Sequence, residues 1–176
     1  MLYIAYGSNM SEKRMRSRCP SARLITKGYL NDMTLCFHYY ADIEPAHDYA
    51  TPAVLWDIPV AEVERLDREE GVPEHYQKEQ IKLIPEPHMS HEEMIALVGE
   101  KSVSTEDWYS PSGILGLAYV MTEWKKTIWE KHNQQTPIEY VEHILTGYKE
   151  QGFSGRYLRD LWYALYREEK PPEHRA

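Results

Sequence analysis

One carboxylate stands out because a helical pattern directs it inward. The sequence predicts a helix over residues 59–70, with Val60, Val63 and Leu66 on its apolar stripe. At about 100° of rotation per residue, Glu70 falls close to the centre of that stripe. Burial and the negative end of the helix dipole both disfavour the ionised form of a carboxyl group. Such a group suits a general base that later returns its proton as an acid.

The other acids of this helix do not share that position. Glu62, Glu64 and Glu69 point about 100° or more away from the apolar stripe, and Asp67 is the only other acid near it. The alternative is that Glu70 merely ends the helix, turned to water or paired with a nearby arginine.

A second candidate site lies in a turn between a predicted strand and a predicted helix. Its residues are Tyr6, Gly7, Ser8, Asn9 and Met10. Backbone N–H groups in such a turn, together with the positive end of the following helix, can hold a carboxylate or an oxyanion. Glycine lets the backbone approach a ligand closely. The alternative is a turn whose polar side chains only cap the helix.

Two segments of the sequence occur as a pair. They are LYIAYGSNM at residues 2–10, with Pro20-Ser21-Ala22 behind it, and LDREEGV at residues 66–72, followed by Tyr76. This pair resembles the γ-glutamylcyclotransferase family. The resemblance covers about residues 3–84 and returns more faintly at residues 118–122 and 137–140.

The resemblance implies an enzyme with a small mixed β-barrel flanked by helices. That family releases an amine from a γ-glutamyl compound and leaves 5-oxoproline. Carried over position by position, Glu70 takes the catalytic acid/base role, and the turn at residues 6–10 takes the substrate-binding role. Tyr119 and Tyr140 are fainter matches to tyrosines that line the family's pocket.

The implied chemistry agrees with the residues. The α-ammonium of the substrate must lose a proton before its nitrogen attacks the γ-carbonyl, and the leaving amine then needs a proton, so one carboxyl group serves both steps. The turn can bind either the α-carboxylate or the developing oxyanion. Because ring closure is intramolecular, positioning supplies much of the rate, and neither a cofactor nor a metal is demanded.

The predicted elements make an α+β fold with a helical C-terminal part. Strands are predicted at about residues 2–6, 22–30, 32–40, 49–58, 76–84 and 114–121. The connections of the three strands between residues 22 and 58 are polar and contain Asn31, Asp32, Pro45 and Asp48. Helices are predicted after Ser11 and at about residues 59–70, 90–98, 138–148 and 154–168. One domain is expected over residues 1–176.

A loop insertion is expected at residues 85–112, which is longer than the connection that the family resemblance implies. The strand before it closely follows Glu70, so both ends of the insertion are expected near the site. Trp108 and Tyr109 are then expected to fold over a ligand or to pack on the scaffold.

Two further groups of residues have types that can bind a metal or act as nucleophiles. The two histidines and two acids within residues 88–93 have no recognised zinc spacing, so a surface loop is favoured and no metal site is predicted. Cys36 and His38 share one face of a strand. Without a third group to orient them, they are interpreted as packing.

The composition argues against several other classes of protein. A count of 20 Lys and Arg against 28 Asp and Glu gives a formal charge of −8, which opposes nonspecific binding to nucleic acid or to an anionic membrane. No apolar run approaches the roughly 20 residues of a spanning helix, and no leader pattern follows Met1. Two cysteines are too few for a disulfide framework, so a cytoplasmic location is expected.

Three functions stay open on the sequence alone. The first is the cyclising enzyme acting on a small γ-glutamyl substrate, and the second is the same enzyme with a different leaving group. The third is a non-catalytic protein of the same fold that holds a small amino-acid-like ligand. The oligomeric state is also left open.

Overall fold

A computed structural model of the chain describes residues 1–105, 111–132 and 135–166. Its strands are β1 (Leu2–Ala5), β2 (Arg23–His38), β3 (Tyr40–Asp57), β4 (Tyr76–Glu86), β5 (Val103–Ser104) and β6 (Gly113–Met121). Its helices are α1 (Glu12–Arg18), α2 (Val60–Glu70), α3 (His91–Val98), α4 (Glu123–His132), α5 (Ile138–Glu150) and α6 (Gly155–Tyr166).

Five of the strands close into a mixed β-barrel. Antiparallel pairs join β1 to β3, β3 to β2, β2 to β4 and β4 to β6. A parallel pair at Tyr3 and Leu117 returns β6 to β1 and completes the ring. The short β5 pairs only with β6. The predicted small mixed β-barrel with flanking helices is therefore confirmed.

The long hairpin of β2 and β3 corrects the prediction of three strands between residues 22 and 58. Asp32 and Asp48 adopt left-handed φ values of 55° and 65°, and the Asp48 N–H donates to Asp32 Oδ1 at 3.2 Å. The pairing register shifts beside Asp32. The polar residues taken for connections therefore form an irregularity within one continuous hairpin, and the chain reverses at Tyr39.

Helix α2 has the bounds that its sequence predicts, but its first apolar residue is exposed. Gly71 closes it in the left-handed conformation, with φ of 67°, and its N–H donates to the Arg68 carbonyl. Leu66 is fully buried, whereas Val60 is 84% exposed. The buried stripe therefore starts at Val63, which packs against the core.

The C-terminal helices pack against the rest of the chain. Tyr148 of α5 and Leu161 of α6 are buried in the core, and Tyr157 of α6 lies beside the rings of Tyr29 and Phe153. Among the described residues, no helix has the length and apolar character needed to cross a membrane.

The segment between β4 and β6 corrects the expectation that its ends lie near Glu70. Tyr76 at the start of β4 pairs with Met121, and Leu83 near its end pairs with Ile114. At about 3.3 Å per residue, seven residues of strand place Leu83 roughly 23 Å from Tyr76, which is the residue that lies beside Glu70.

The same segment is only partly loop. A capping box at Ser90 and Glu93 begins α3, and Met94 is fully buried. Trp108 and Tyr109, which were expected to fold over a ligand or pack on the scaffold, lie outside the described residues.

Candidate active site

A small cavity of about 30 Å³ brings most of the predicted site residues together. It is lined by Tyr3, Tyr6, Gly7, Ser8, Asn9, Ala41, Glu70, Tyr76, Tyr119 and Tyr140. An adjoining cavity of about 140 Å³ shares Ser8, Glu70, Tyr76 and Tyr140 with it and adds Arg14, Arg18, Tyr40, Glu69 and His75. The predicted acid, the turn and both predicted tyrosines thus meet although they are far apart in the chain.

The Glu70 carboxylate is held by two donors from the N-terminal segment. Arg18 Nη1 donates to Oε1 at 2.5 Å and Asn9 Nδ2 donates to the same oxygen at 2.9 Å. The side chain is only 15% exposed, so the predicted inward direction is confirmed. Both contacts end on Oε1, and within the described part of the chain Oε2 accepts no hydrogen bond. The structure therefore combines the inward carboxylate with the arginine pairing that the alternative proposed.

Asn9 links the acid to the barrel. Its amide nitrogen also donates to the Tyr3 hydroxyl at 2.9 Å, and its Oδ1 accepts from Arg18 at 3.0 Å. Its backbone carbonyl accepts from Nε1 of the fully buried Trp56 at 3.1 Å. These contacts fix the position of Asn9 on both its side chain and its backbone, and hence the position of Glu70.

The other residues of the turn either line the cavity or support the shape of the turn. The Met10 N–H donates to the Gly7 carbonyl at 3.1 Å, and its side chain is fully buried. Met10 does not line the cavity, so the substrate-binding role predicted for it would act only through the shape of the turn. A Cβ on Gly7 would stand 3.3 Å from the Tyr140 hydroxyl, so glycine permits this close approach.

Tyr6 and Tyr119 line the cavity, but their hydroxyls donate to acceptors within the protein and not to a ligand. The Tyr6 hydroxyl donates to the Tyr119 carbonyl, and the Tyr119 hydroxyl donates to Asp67 Oδ1 at 2.6 Å. Burial raises the pKa of both phenols, with the Asp67 hydrogen bond adding to the shift at Tyr119. Both stay neutral at pH 7, and their hydrogens are already used.

Tyr140 presents a different arrangement. Its hydroxyl accepts from the Ala41 N–H at 3.2 Å, and Tyr140 lines both cavities together with Ser8. Burial raises the pKa of Tyr140 to about 12, so it remains protonated at neutral pH. Tyr140 and Ser8 thus bring two hydroxyls to the site, and their hydrogens can turn toward a ligand.

Arg14 gives the adjoining cavity a positive wall. Its Nε is buried and donates to no acceptor in the described part of the chain. Burial and the neighbouring Arg18 lower the pKa of Arg14. Burial also lowers the pKa of His143 on α5, and the positive charges of Arg14 and Arg18 lower it further. A buried N–H without an acceptor, in a positive field, is suited to an anionic ligand group.

Comparison with known families agrees with this geometry. A family profile described as gamma-glutamyl cyclotransferase, AIG2-like matches residues 3–110, which is more than half of the chain. The chain belongs to this family. No curated protein matches the chain.

Solved structures share the gamma-glutamyl cyclotransferase-like fold. One named gamma-glutamyl cyclotransferase has a TM-score of 0.68 at 21% identity, covering 99% of this chain and 95% of that one. An uncharacterized protein from Homo sapiens has a TM-score of 0.66 at 21% identity, covering 98% and 94%. YkqA from Bacillus subtilis has a TM-score of 0.64 at 17% identity, covering 97% of this chain and 56% of that one.

The sequence analysis missed the two arginines of the candidate site. Arg14 and Arg18 lie four residues apart on α1, directly after the turn, and therefore share one helix face. That spacing was a signal for a pair of cations beside the turn. Tyr3 was also missed, although its place on β1 one residue before the buried Ile4 puts it on the opposite strand face.

Replacing Gly147 by Ala should destabilise the protein, because α5 packs directly on the turn. A Cβ at Gly147 would stand 2.7 Å from Met10 Cβ and 2.9 Å from Ser11 N. We expect a loss of about 1–3 kcal/mol in the free energy of unfolding, which thermal unfolding would record as roughly 2–4 °C in Tm per kcal/mol. Gly155→Ala is the control, since nothing lies within 4 Å of a Cβ there. Equal effects of the two changes would contradict the tight packing of α5.

Proposed function

We propose that this protein is a γ-glutamylcyclotransferase-like enzyme. It would cyclise a γ-glutamyl amine or peptide to 5-oxoproline and release the amine, with Glu70 as general base and then general acid. Membership of the gamma-glutamyl cyclotransferase, AIG2-like family supports an enzyme of this kind. The observation that carries the proposal is a carboxylate fixed through Oε1 in a polar cavity, with Oε2 left to meet a substrate proton.

The order of proton transfers follows from this geometry. Oε2 of Glu70 would accept a proton from the α-ammonium, and the freed nitrogen would attack the γ-carbonyl carbon of the same molecule. When the tetrahedral intermediate collapses, the C–N bond to the leaving amine breaks, and Glu70 returns the proton to that nitrogen. The ring nitrogen then gives its second proton to the vacated carboxylate, which passes it to the released amine, so that the products are 5-oxoproline and an ammonium. Arg18 and Asn9 hold the carboxylate in place through both steps.

Two different groups would then neutralise the two negative charges of the reaction. Arg14 is suited to the α-carboxylate, because it lines the adjoining cavity and its buried Nε–H has no acceptor in the described part of the chain. The turn and the hydroxyls of Ser8 and Tyr140 are then left for the oxyanion that develops on the γ-carbonyl oxygen. The sequence left open whether the turn binds the α-carboxylate or the oxyanion, and we assign the oxyanion to it.

The size of the cavities favours a small substrate. The adjoining cavity measures about 140 Å³, well below the roughly 300–1,000 Å³ typical of sites for drug-sized ligands. A glutamyl group with its leaving amine directed outward is the chemistry that fits such a space.

A panel of γ-glutamyl compounds tests the proposal. The purified protein would be incubated with γ-glutamyl amines, dipeptides and peptides, and 5-oxoproline would be measured by mass spectrometry. Formation of 5-oxoproline with release of one equivalent of amine is expected for at least one class. Thermal stabilisation by these compounds without any 5-oxoproline would support the non-catalytic binding protein instead.

Activity should survive exhaustive chelation. The proposed reaction needs only proton transfers and charge stabilisation, which side chains and backbone N–H groups supply. The rate with the best substrate would be compared before and after dialysis against EDTA, and no change beyond experimental error is expected. Loss of the rate with EDTA and its recovery with zinc would contradict the metal-free mechanism.

A further inference from the structure

Four potential metal ligands converge on one face of the β2–β3 hairpin. Cys36 and His38 lie two residues apart on β2, and Asp42 and Glu44 lie two residues apart on β3, with Cys36 directly opposite Asp42. One ligand atom from each of the four lies within 4.8 Å of the others. The sequence showed no third group that could orient Cys36 and His38. The carboxylates of the facing strand β3 provide such groups.

The spacing of these atoms suits a tetrahedral ion. His38 Nε2 lies 3.8 Å from Cys36 Sγ and 3.1 Å from Glu44 Oε1. A tetrahedral zinc ion with bonds of about 2.0–2.3 Å separates its ligand atoms by about 3.3–3.8 Å. We propose that Cys36, His38, Asp42 and Glu44 form a binding site for Zn²⁺, separate from the Glu70 cavity.

The remaining atoms of the ligands are oriented by their surroundings. The buried Nδ1 of His38 makes no hydrogen bond in the described part of the chain and lies 3.5 Å from Glu130 Oε1. A carboxylate behind the second ring nitrogen is the usual outer partner of a zinc-bound histidine. The fully buried Asp42 accepts from the Met121 N–H through Oδ1, which leaves Oδ2 to face the cluster.

Lys126 of α4 contacts two of the same oxygens. Its ammonium lies 3.0 Å from Asp42 Oδ2 and 3.2 Å from Glu44 Oε1, and it also lies 3.2 Å from Glu123 Oε1. A lysine has a flexible stem, and Glu123 offers an alternative partner. A dication that binds four ligands at once can therefore displace the ammonium toward Glu123.

An access route to the cluster is present. Cys36 and His38 line a cavity of about 450 Å³ between the hairpin and α6, with Glu130 also on its wall. Glu44 is 41% exposed. A thiolate and an imidazole with two carboxylates favour a borderline ion such as Zn²⁺ over Mg²⁺ or Ca²⁺, which prefer oxygen ligands alone.

Binding of Zn²⁺ and Co²⁺ to the full chain tests the site. Calorimetry and competition with a zinc indicator should give one Zn²⁺ per chain, and Co²⁺ should produce a thiolate charge-transfer band. Cys36→Ser should abolish the band, and His38→Gln should weaken Zn²⁺ binding more than about 100-fold. Cys19→Ser and His47→Gln are matched controls that should keep both signals, because Cys19 is buried elsewhere and His47 is exposed.

Two further variants distinguish this site from adventitious binding. Glu130→Gln should weaken Zn²⁺ binding about tenfold or more. Lys126→Gln should strengthen it at least about fivefold, because a competing ammonium is removed. A cobalt band that persists in Cys36→Ser, no stoichiometric ion in the unmodified protein, or an affinity in Lys126→Gln no higher than that of the unmodified protein would each overturn the proposal. None of these outcomes depends on cyclising activity.

Discussion

Glu70→Gln should lower kcat by about 10²–10⁴-fold, the range that a general acid/base contributes. The substitution keeps the shape of the side chain and an oxygen that can still accept from Arg18 and Asn9. It removes only the capacity to take and return a proton. Steady-state kinetics with the best γ-glutamyl substrate would measure the loss, and thermal stabilisation by that substrate would show that binding persists.

Glu69→Gln is the matched control. Glu69 precedes Glu70 on α2, lies 3.7 Å from Arg18 Nε and is 47% exposed. An ion pair this exposed contributes little, so we expect kcat within about threefold of that of the unmodified protein. If Glu69→Gln were inactive and Glu70→Gln active, the assignment of the acid/base would be wrong.

The helical periodicity of the sequence was enough to predict that the Glu70 side chain points inward. One residue of α2 is rotated about 100° from the next, so the fully buried Leu66 fixes the direction of the residue four positions later. The same reasoning failed for Val60, because the first turn of α2 extends beyond the residues that cover it. The position of a residue on the helical stripe therefore predicts its burial only where other residues pack against that part of the helix.

The partners of Glu70 were not accessible to the same reasoning. Arg18 is 52 residues away in sequence, and the two meet only because the barrel brings α1 and α2 together. Closure of the barrel itself depends on the parallel pairing of Tyr3 with Leu117, a contact that no local pattern specifies. The family resemblance predicted the barrel, whereas the residue patterns predicted only its separate strands.

The irregular hairpin shows a further limit of local signals. Aspartate favours turns and also tolerates left-handed φ, so Asp32 and Asp48 were taken to mark connections. In the structure the two residues instead bond to each other across a continuous β2–β3 ladder. The extra strand length places Cys36 opposite Asp42, so the same missed strand length hid the cluster that we propose as a metal site.

Arg14→Gln should raise KM by about 10- to 100-fold while kcat changes by only a few fold. A hydrogen bond to a charged group contributes about 1.5–3 kcal/mol, and binding of the α-carboxylate is the same in the ground state and the transition state, so its loss falls on KM. Arg14→Lys should recover part of the loss, because the charge returns without the fork of the guanidinium. Arg16→Gln should change nothing, since Arg16 is exposed and pairs with Glu12 on the outer side of α1.

A substrate without the α-carboxylate separates binding of that group from a general effect on the site. In the matching 4-aminobutyryl amide, the amine and the γ-carbonyl remain but the carboxylate is absent. If Arg14 binds the carboxylate, the unmodified protein and Arg14→Gln should process this analogue with nearly equal kcat/KM, because the interaction is already missing from both. If Arg14 instead supports the turn or Arg18, the variant should be equally impaired with both substrates, and the α-carboxylate would have to be bound by the turn at residues 6–10.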